Sequence, residues 1–242
     1  MDGNPIRIGV VGTGYVGLTT GACLAHLGHH VVCADVDPRK VDMLQAGQIP
    51  IVEEGLQTIV DDARAAGRIE FALGAEAAAT DVDVVFLCVP TPQGDDGSAD
   101  LSYIQVAAGQ IAPVLAPGTV VVNKSTVPVG STIAVEQVLR RDDIPVVSNP
   151  EFLREGTAVH DFLHPDRVVI GSTDRAAAER VAELYAPVDA PVLITDPASA
   201  ETITYAANGV LAMKISFVYA VAAMCEAVGA DVAAVVEGIG SD

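Results

Sequence analysis

The stretch IRIGVVGTGYVGLTTGACLAHLGHHVVCAD, residues 6–35, contains the pattern that decides the fold. An apolar run ends at Val11, the glycine turn GTGYVG occupies residues 12–17, and a helical pattern then continues to Leu27. The turn therefore has the form GxGxxG and lies between a strand and a helix. A second apolar run, which ends at Asp35, completes the strand-helix-strand unit that this form of turn requires.

The glycines of the turn have separate predicted roles. Gly12 permits the tight turn, Gly14 lets a pyrophosphate approach the backbone, and Gly17 lets the helix pack on the strand. Tyr15 and Val16 open the helix, whose free N–H groups and partial positive charge attract phosphate. A glycine turn that serves packing alone could have the same GxGxxG sequence, so a second signal is needed to identify a dinucleotide site.

Asp35 supplies this second signal, because it ends the next strand 18 residues after Gly17. A carboxylate at this point accepts hydrogen bonds from the ribose hydroxyls of adenosine and repels a 2′-phosphate, which favours NAD over NADP. Arg39 and Lys40 argue the other way, since a nearby cation accommodates that phosphate. The combined pattern predicts NAD as the cofactor.

Strand-like and helical runs alternate along most of the chain, which predicts an α/β fold with a doubly wound parallel, Rossmann-like sheet. The strand-like runs are continuous rather than alternating, as expected for strands buried on both faces. We predict strands at Ile6–Val11, Val31–Ala34, Val82–Cys88, Val120–Val122, Val146–Ser148 and Val168–Ile170. We predict helices at Val16–Leu27, Arg39–Ala46, Leu56–Ala66, Tyr103–Leu115, Ile133–Arg140 and Ala176–Tyr185.

The pattern changes near Asp196, after which one helical pattern continues to about Val228. We assign residues 1–196 to a Rossmann-like NAD-binding domain. We assign residues 197–242 to a long connecting or dimerisation helix and the truncated start of a central domain. An exposed apolar helix face is unfavourable in a monomer, so we expect a homodimer through the 199–228 helix.

Composition excludes several classes of function. The net charge of −19 disfavours binding to nucleic acids and anionic membranes. Asn208, Lys214 and Glu226 interrupt the long apolar helix, which favours a buried helix over a membrane span and a cytoplasmic location. No CxxC pair is present, so we expect no metal site and small buried thiols at Cys23, Cys33, Cys88 and Cys225.

Five further segments resemble, in the same order, segments of the UDP-glucose/GDP-mannose dehydrogenase family. Together with the glycine turn they extend over nearly the whole chain, and the loop from Gln93 to Asp100 is most similar to the UDP-glucose branch. The segments are Glu53–Leu56, Val89–Pro92 with Asp96–Asp100, Ser125–Gly130 (STVPVG), Asn149–Gly156 (NPEFLREG) and Phe162–Arg167.

The resemblance implies oxidation of a primary alcohol on a UDP-sugar to a carboxylate, in two hydride transfers to NAD. It implies that Thr126 and Glu155 position a catalytic water, with Glu155 as general base, and that Asn208 stabilises an oxyanion. The implied substrate contacts are Glu151, Phe152, Leu153, Arg154, Glu155 and Asn208. The predicted cofactor contacts are Gly12, Gly14, Tyr15, Val16, Gly17, Asp35, Lys40, Pro90, Thr91, Ser125, Thr126 and Glu155.

The chain also departs from the family pattern. The family's nucleophilic cysteine, in a GxCxxKD segment of a later domain, is not found in this sequence, so we expect the chain by itself to be inactive. Thr204 stands where the family has lysine, and Tyr219 where it commonly has asparagine. Two alternatives therefore remain: a non-catalytic NAD-binding or dimerisation module, and a dehydrogenase for GDP-mannose or a UDP-N-acetylhexosamine.

Overall fold

The computed structural model describes residues 5–94 and 96–240, so the outer ends of both predicted domains, residues 1–4 and 241–242, lie outside the described residues. The chain divides into two compact units, Met1–Thr202 and Ile203–Asp242. The boundary predicted after Asp196 lies at the start of a long helix, and the two units divide within that helix.

Strands and helices alternate through the first unit, as the apolar pattern predicts. The strands are β1 (Arg7–Val11), β2 (His30–Asp35), β3 (Ile69–Leu73), β4 (Val84–Leu87), β5 (Val120–Asn123), β6 (Val146–Ser148), β7 (Val168–Gly171) and β8 (Val192–Thr195). The helices are α1 (Tyr15–His26), α2 (Pro38–Gln45), α3 (Leu56–Ala65), α4 (Ala75–Ala79), α5 (Ser102–Ile111), α6 (Ser131–Leu139), α7 (Ala158–Leu163), α8 (Arg175–Glu183), α9 (Pro197–Val228) and α10 (Val232–Ile239).

Within the described residues the strands form one eight-stranded sheet, in the order β3-β2-β1-β4-β5-β6-β7-β8. Two apolar clusters pack on its opposite faces, and the central strands β4 and β5 are buried throughout, which explains their continuous apolar runs. The doubly wound prediction is confirmed. The strand order reverses between β1 and β4, and ligands bind in the crevice at such a switch point.

The prediction of a wholly parallel sheet is wrong for one pair, because β6 and β7 run antiparallel, with Ser148 opposite Gly171. The connection between them contains only the six-residue helix α7. A parallel pair needs a crossover that returns the chain to the opposite edge of the sheet, whereas an antiparallel pair does not. The chain therefore re-enters the sheet from the edge at which β6 ended.

Short elements account for what the sequence pattern missed. The strands β3 and β8 were not predicted, and both lie at the edges of the sheet. In β3 the polar Glu70 interrupts the apolar run, and β8 has only four residues. The helices α4 and α7 have five and six residues, too few for a period of 3.6 residues to be recognised. Helix α10, with eight residues and no buried side chain, was also not predicted.

A buried carboxylate fixes the first turns of α9 within the first unit. Glu201 is 2% exposed, and its oxygens accept hydrogen bonds from the amide of Gly130 (2.6 Å) and from the amide (2.9 Å) and hydroxyl (2.7 Å) of Thr132. These donors belong to the N-terminus of α6, where free amides favour a negative charge. Glu201 therefore caps α6 from a distant part of the chain.

We expect Glu201→Ala to lower the free energy of unfolding by about 3 kcal/mol, because two buried donors of Thr132 and the half-buried amide of Gly130 lose their acceptor. Denaturant titration of the chain measures this change. Glu179→Ala is the matched control: Glu179 is exposed and pairs only with Arg175, so its loss costs at most about 0.5 kcal/mol. Equal stability losses in the two variants would contradict the capping role.

The second unit, Ile203–Asp242, contains the remainder of α9 followed by α10. Along α9 the large apolar side chains are mostly exposed, including Met213, Ile215, Phe217, Tyr219 and Met224 at 59–74%. Among the described helices, α9 is long and apolar enough to cross a membrane by length and composition, with 11% of its most apolar window buried. Exposed apolar side chains therefore extend along most of α9.

Candidate functional site

A cavity of about 630 Å³ opens at the carboxyl ends of the central strands of the first unit. It lies where the strand order reverses between β1 and β4, the position expected for a ligand in an open α/β sheet. Eleven of the predicted site residues line it: Gly12, Gly14, Tyr15, Val16, Asp35, Lys40, Pro90, Thr91, Ser125, Thr126 and Glu151. The sequence therefore predicted most of its polar surface.

The glycine turn forms one wall of the cavity, and each glycine has a different reason to be glycine. Gly12 adopts a φ of +100°, and a Cβ atom there would lie 2.5 Å from the carbonyl oxygen of Cys88. A Cβ atom on Gly17 would lie 1.9 Å from the carbonyl oxygen of Gly12. A Cβ atom on Gly14 would meet no atom within 4 Å, so this position opens directly into the space that a ligand would fill.

Asp35 lies at the end of β2, 8% exposed, and its carboxylate is held by the turn. The oxygen Oδ2 accepts hydrogen bonds from the Thr13 amide (2.9 Å) and hydroxyl (2.7 Å), and Oδ1 accepts one from the Asp37 amide (3.0 Å). The ammonium of Lys40 lies 3.5 Å from Oδ2. Burial opposes ionisation of Asp35, but these hydrogen bonds and Lys40 outweigh it and lower its pKa, so the group is a carboxylate at neutral pH.

Two loops that follow β4 and β5 form the opposite wall of the cavity, and hydrogen bonds join them. The hydroxyl of Ser125 donates to the carbonyl of Val89 (2.7 Å), and the hydroxyl of Thr91 donates to the carbonyl of Thr126 (2.8 Å). Because Ser125 and Thr91 each hold the neighbouring loop, the side chain of Thr126 is presented to the cavity from a fixed backbone.

The NPEFLREG segment, residues 149–156, is only partly gathered into this cavity. Glu151 lines it, and the Glu151 carboxylate accepts a hydrogen bond from the Leu153 amide (2.6 Å). Phe152 and Leu153 instead line a separate cavity of about 40 Å³, which Glu151 also borders. Glu155 is exposed and does not line the large cavity, so its predicted contact with a cofactor remains a prediction.

Arg154 braces this segment rather than facing the cavity. Its guanidinium forms a two-point ion pair with Asp161, with Nη2 at 2.6 Å and Nε at 3.1 Å. Its amide and the hydroxyl of Thr157 donate to the same carboxylate at 3.0 Å. These hydrogen bonds lower the pKa of Asp161, although its partial burial acts in the opposite direction. The segment from Arg154 to Asp161 is therefore one hydrogen-bonded piece.

Sequence reasoning missed the contribution of α5 to the cavity. The helix presents Tyr103 and Val106, which are 50% and 59% exposed and three residues apart, so they lie on one face. Val36, directly after Asp35, is 74% exposed and lines the cavity with them. The apolar pair of Tyr103 and Val106 was the sequence signal that could have indicated a contribution of α5 to the cavity. Together with Val36, this pair provides an apolar surface suited to a planar base.

A hydrogen-bonded link between distant segments was also missed. Glu53, 9% exposed, accepts hydrogen bonds from the hydroxyl of Tyr15 (2.9 Å) and from the amides of Gly156 (2.9 Å) and Ala158 (2.8 Å). The Tyr15 hydroxyl also lies 2.7 Å from the carbonyl oxygen of Arg154. The motif containing Glu53 was recognised from the sequence, but nothing in its spacing indicated this contact.

Two predicted positions belong to the second unit. Asn208 is exposed on α9, four residues after Thr204. Thr204 is 3% exposed, and its hydroxyl has no hydrogen-bond partner among the described residues. The role predicted for Asn208 stays a prediction.

The cysteines of the chain are free and buried. Burial raises the pKa values of Cys23 and Cys88 to about 12, although Cys88 borders the large cavity. A thiol with such a pKa is protonated at neutral pH and is a poor nucleophile. Within residues 5–94 and 96–240, no group of three or more metal-ligating side chains is found.

The two units of the chain match models of two domains of the same protein family. Residues 6–189 match the model of the NAD binding domain of the UDP-glucose/GDP-mannose dehydrogenase family, and residues 198–242 match the model of its central domain. The chain is 46% identical to a UDP-glucose 6-dehydrogenase of Bacillus subtilis over 98% of this chain and 55% of that protein. It is 48% identical to the enzyme of Rhizobium meliloti, over 98% of this chain and 56% of that protein.

Solved structures give the same result. A UDP-glucose dehydrogenase from Pyrobaculum islandicum superposes with a TM-score of 0.93 and 41% identity, covering 100% of this chain and 58% of that one. A GDP-mannose dehydrogenase from Pseudomonas aeruginosa superposes with a TM-score of 0.91 and 34% identity, covering 98% of this chain and 57% of that one. The chain spans about half the length of the curated relatives that it matches.

Proposed function

Because the chain belongs to the UDP-glucose/GDP-mannose dehydrogenase family, we propose that it is the cofactor-binding portion of an NAD-dependent UDP-glucose 6-dehydrogenase. The observation that carries this proposal is the large cavity, where an open glycine turn, an ionised Asp35 and the Thr126 loop face one another. Identity to curated UDP-glucose 6-dehydrogenases is 36–48%, with four of them at 44–48%, against 34% to the GDP-mannose enzyme, which supports UDP-glucose as the substrate.

The residues of the cavity fit NAD. The open space at Gly14 and the start of α1 would receive the pyrophosphate, whose charge the free amides there stabilise. Asp35 would accept hydrogen bonds from the adenosine ribose, and its negative charge disfavours the 2′-phosphate of NADP. When bound, NAD would accept a hydride from the substrate.

For the substrate side we propose the roles that the family pattern implies. Glu155 and Thr126 hold the attacking water, with Glu155 removing its proton, and Glu151 to Glu155 contact the sugar nucleotide. Asn208 would donate a hydrogen bond to the developing oxyanion. Glu155 is exposed, so it can accept a proton from the open side of the loop without prior rearrangement of buried groups.

We also propose that the 242-residue chain does not complete the reaction by itself, because a covalent step needs an activated thiolate and the cysteines are buried. Incubating the purified chain with NAD and UDP-glucose, and measuring absorbance of NADH, tests this. No NADH is expected. Sustained NADH production would contradict the proposal. It would also exclude the alternative of a non-catalytic NAD-binding module, which Thr204, in place of the family's lysine, otherwise favours.

We propose that the exposed apolar face of α9 is covered by a second copy of this chain. Sedimentation equilibrium should then give a dimer, and Phe217→Glu, which places a charge on a side chain 59% exposed, should shift the population to monomer. Val52→Glu is the control, because Val52 is 100% exposed in the other unit, and it should leave the dimer unchanged. A monomer that co-sediments with lipid vesicles would contradict the dimer and favour the membrane.

A further inference from the structure

We propose that Tyr15 and Glu53 form a latch that transmits occupancy of the cofactor cavity to the loop carrying Glu155. The latch consists of the hydrogen bonds from Tyr15 to Glu53 and from Gly156 and Ala158 to Glu53. Tyr15 and Glu53 are thus positioning residues. The inference rests on the proposed function only in that the cavity binds NAD.

Tyr15 is suited to sense the ligand because it belongs to the cavity wall and to the first turn of α1 at once. A pyrophosphate drawn to the start of α1 would lie against the backbone that carries this side chain. Burial, followed by the charges of Glu53, Glu155 and Asp161, raises the pKa of the Tyr15 hydroxyl, so it remains a hydrogen-bond donor. Its single hydrogen is shared between two acceptors, Glu53 Oε2 and the Arg154 carbonyl oxygen.

Glu53 is suited to relay the signal because its two oxygens receive donors from both segments. Oε2 accepts from the Tyr15 hydroxyl and the Gly156 amide, and Oε1 accepts from the Ala158 amide. The carboxylate is buried, so these donors cannot be replaced by water at no cost. A small shift of Tyr15 therefore changes the hydrogen bonding of the two loop amides.

The loop that carries Glu155 can move as one unit, because hydrogen bonds join the segment from Arg154 to Asp161. Asp161 holds both the Arg154 guanidinium and the Thr157 hydroxyl, so the residues on either side of Glu155 are joined to each other. Displacing the Gly156 end of this piece moves Glu155. The Glu155 side chain is exposed and makes no hydrogen bond or ion pair to the other described residues that would resist the movement.

The test combines hydrogen exchange with calorimetry on the full chain. In the wild type, saturating NAD should slow exchange of the Gly156 and Ala158 amides by about tenfold. Tyr15→Phe removes only the hydroxyl, so NAD should still bind within about fivefold of the wild-type affinity while the protection by NAD falls to about twofold or less. Glu53→Gln replaces one acceptor oxygen with an NH2 group, which faces other donors. The backbone amides of Gly156 and Ala158 should therefore exchange faster than in the wild type even without NAD.

Two matched variants separate the latch from general damage. Tyr205→Phe removes the hydroxyl of a tyrosine that is 45% exposed and does not line the cavity, so it should retain the NAD-dependent protection of the Gly156 and Ala158 amides. Glu54→Gln alters the exposed neighbour of Glu53 and should retain normal exchange. Undiminished NAD protection in Tyr15→Phe, or no protection in an NAD-bound wild type, would overturn the latch. Absence of NAD binding in the calorimeter would instead overturn the proposed function as well.

Discussion

Gly17→Ala should abolish NAD binding and lower the stability of the chain, the largest effect that we expect from a single methyl group. The added Cβ atom would lie 1.9 Å from the carbonyl oxygen of Gly12 and 3.0 Å from the Cβ atom of Cys88. The first of these atoms is backbone and the second is attached directly to backbone, so neither can turn aside and α1 must move away from β1. Overpacking of this kind costs about 3 kcal/mol, measurable by denaturant titration.

Gly14→Ala is the matched control, because it adds the same methyl group where no atom lies within 4 Å. The backbone at Gly14, with φ of −71°, is one that alanine adopts without strain. Stability should therefore remain within about 0.5 kcal/mol of wild type. NAD affinity should nevertheless fall at least about tenfold, because the methyl group occupies the approach of the pyrophosphate. Unchanged NAD affinity in Gly14→Ala would exclude this position as the phosphate site.

Asp35→Asn should weaken NAD binding by about 10- to 100-fold, the second large effect. Asparagine has the same shape, but its amide nitrogen cannot accept hydrogen bonds from a ribose hydroxyl or from Thr13, which donates two bonds to Asp35. The loss of negative charge also removes the repulsion of a 2′-phosphate, so the preference for NAD over NADP should narrow. Calorimetric titration with both cofactors measures the two changes.

Asp37→Asn provides the control for charge, because Asp37 is two residues away, contacts Arg39 and does not line the cavity. Its NAD affinity should match the wild type, and equal losses in both variants would indicate a general field effect.

Since the pKa of Asp35 is lowered by folding, the stability that this carboxylate contributes is present above its ordinary pKa. That contribution is lost as the pH falls through the lowered value.

The sequence predicted the part of the site that depends on local geometry. The turn from Gly12 to Gly17 and the carboxylate of Asp35 follow rules of spacing, because one strand-turn-helix unit brings them together. The loops at Thr91 and Thr126 were predicted by their place after buried strands, and their shared edge of the sheet brings them to one cavity.

What the sequence could not predict are contacts between segments far apart in the chain. Glu53 lies 103 residues from Gly156, and Glu201 lies 71 residues from Gly130, so no local period relates either pair. Both are buried carboxylates that accept from backbone amides rather than from cations. Aspartate and glutamate side chains ordinarily lie on the protein surface, so a buried structural role for Glu53 and Glu201 was not predicted. The antiparallel pairing of β6 with β7 was missed for the same reason: it depends on where a loop returns to the sheet.

The central claim is that the cavity beside the glycine turn is an NAD site, and direct titration of the wild-type chain with NAD and NADP tests it. We predict saturable binding of one NAD per chain, with NADP at least about tenfold weaker because of the Asp35 carboxylate. Absence of binding heat at millimolar NAD, or tighter binding of NADP, would contradict the account.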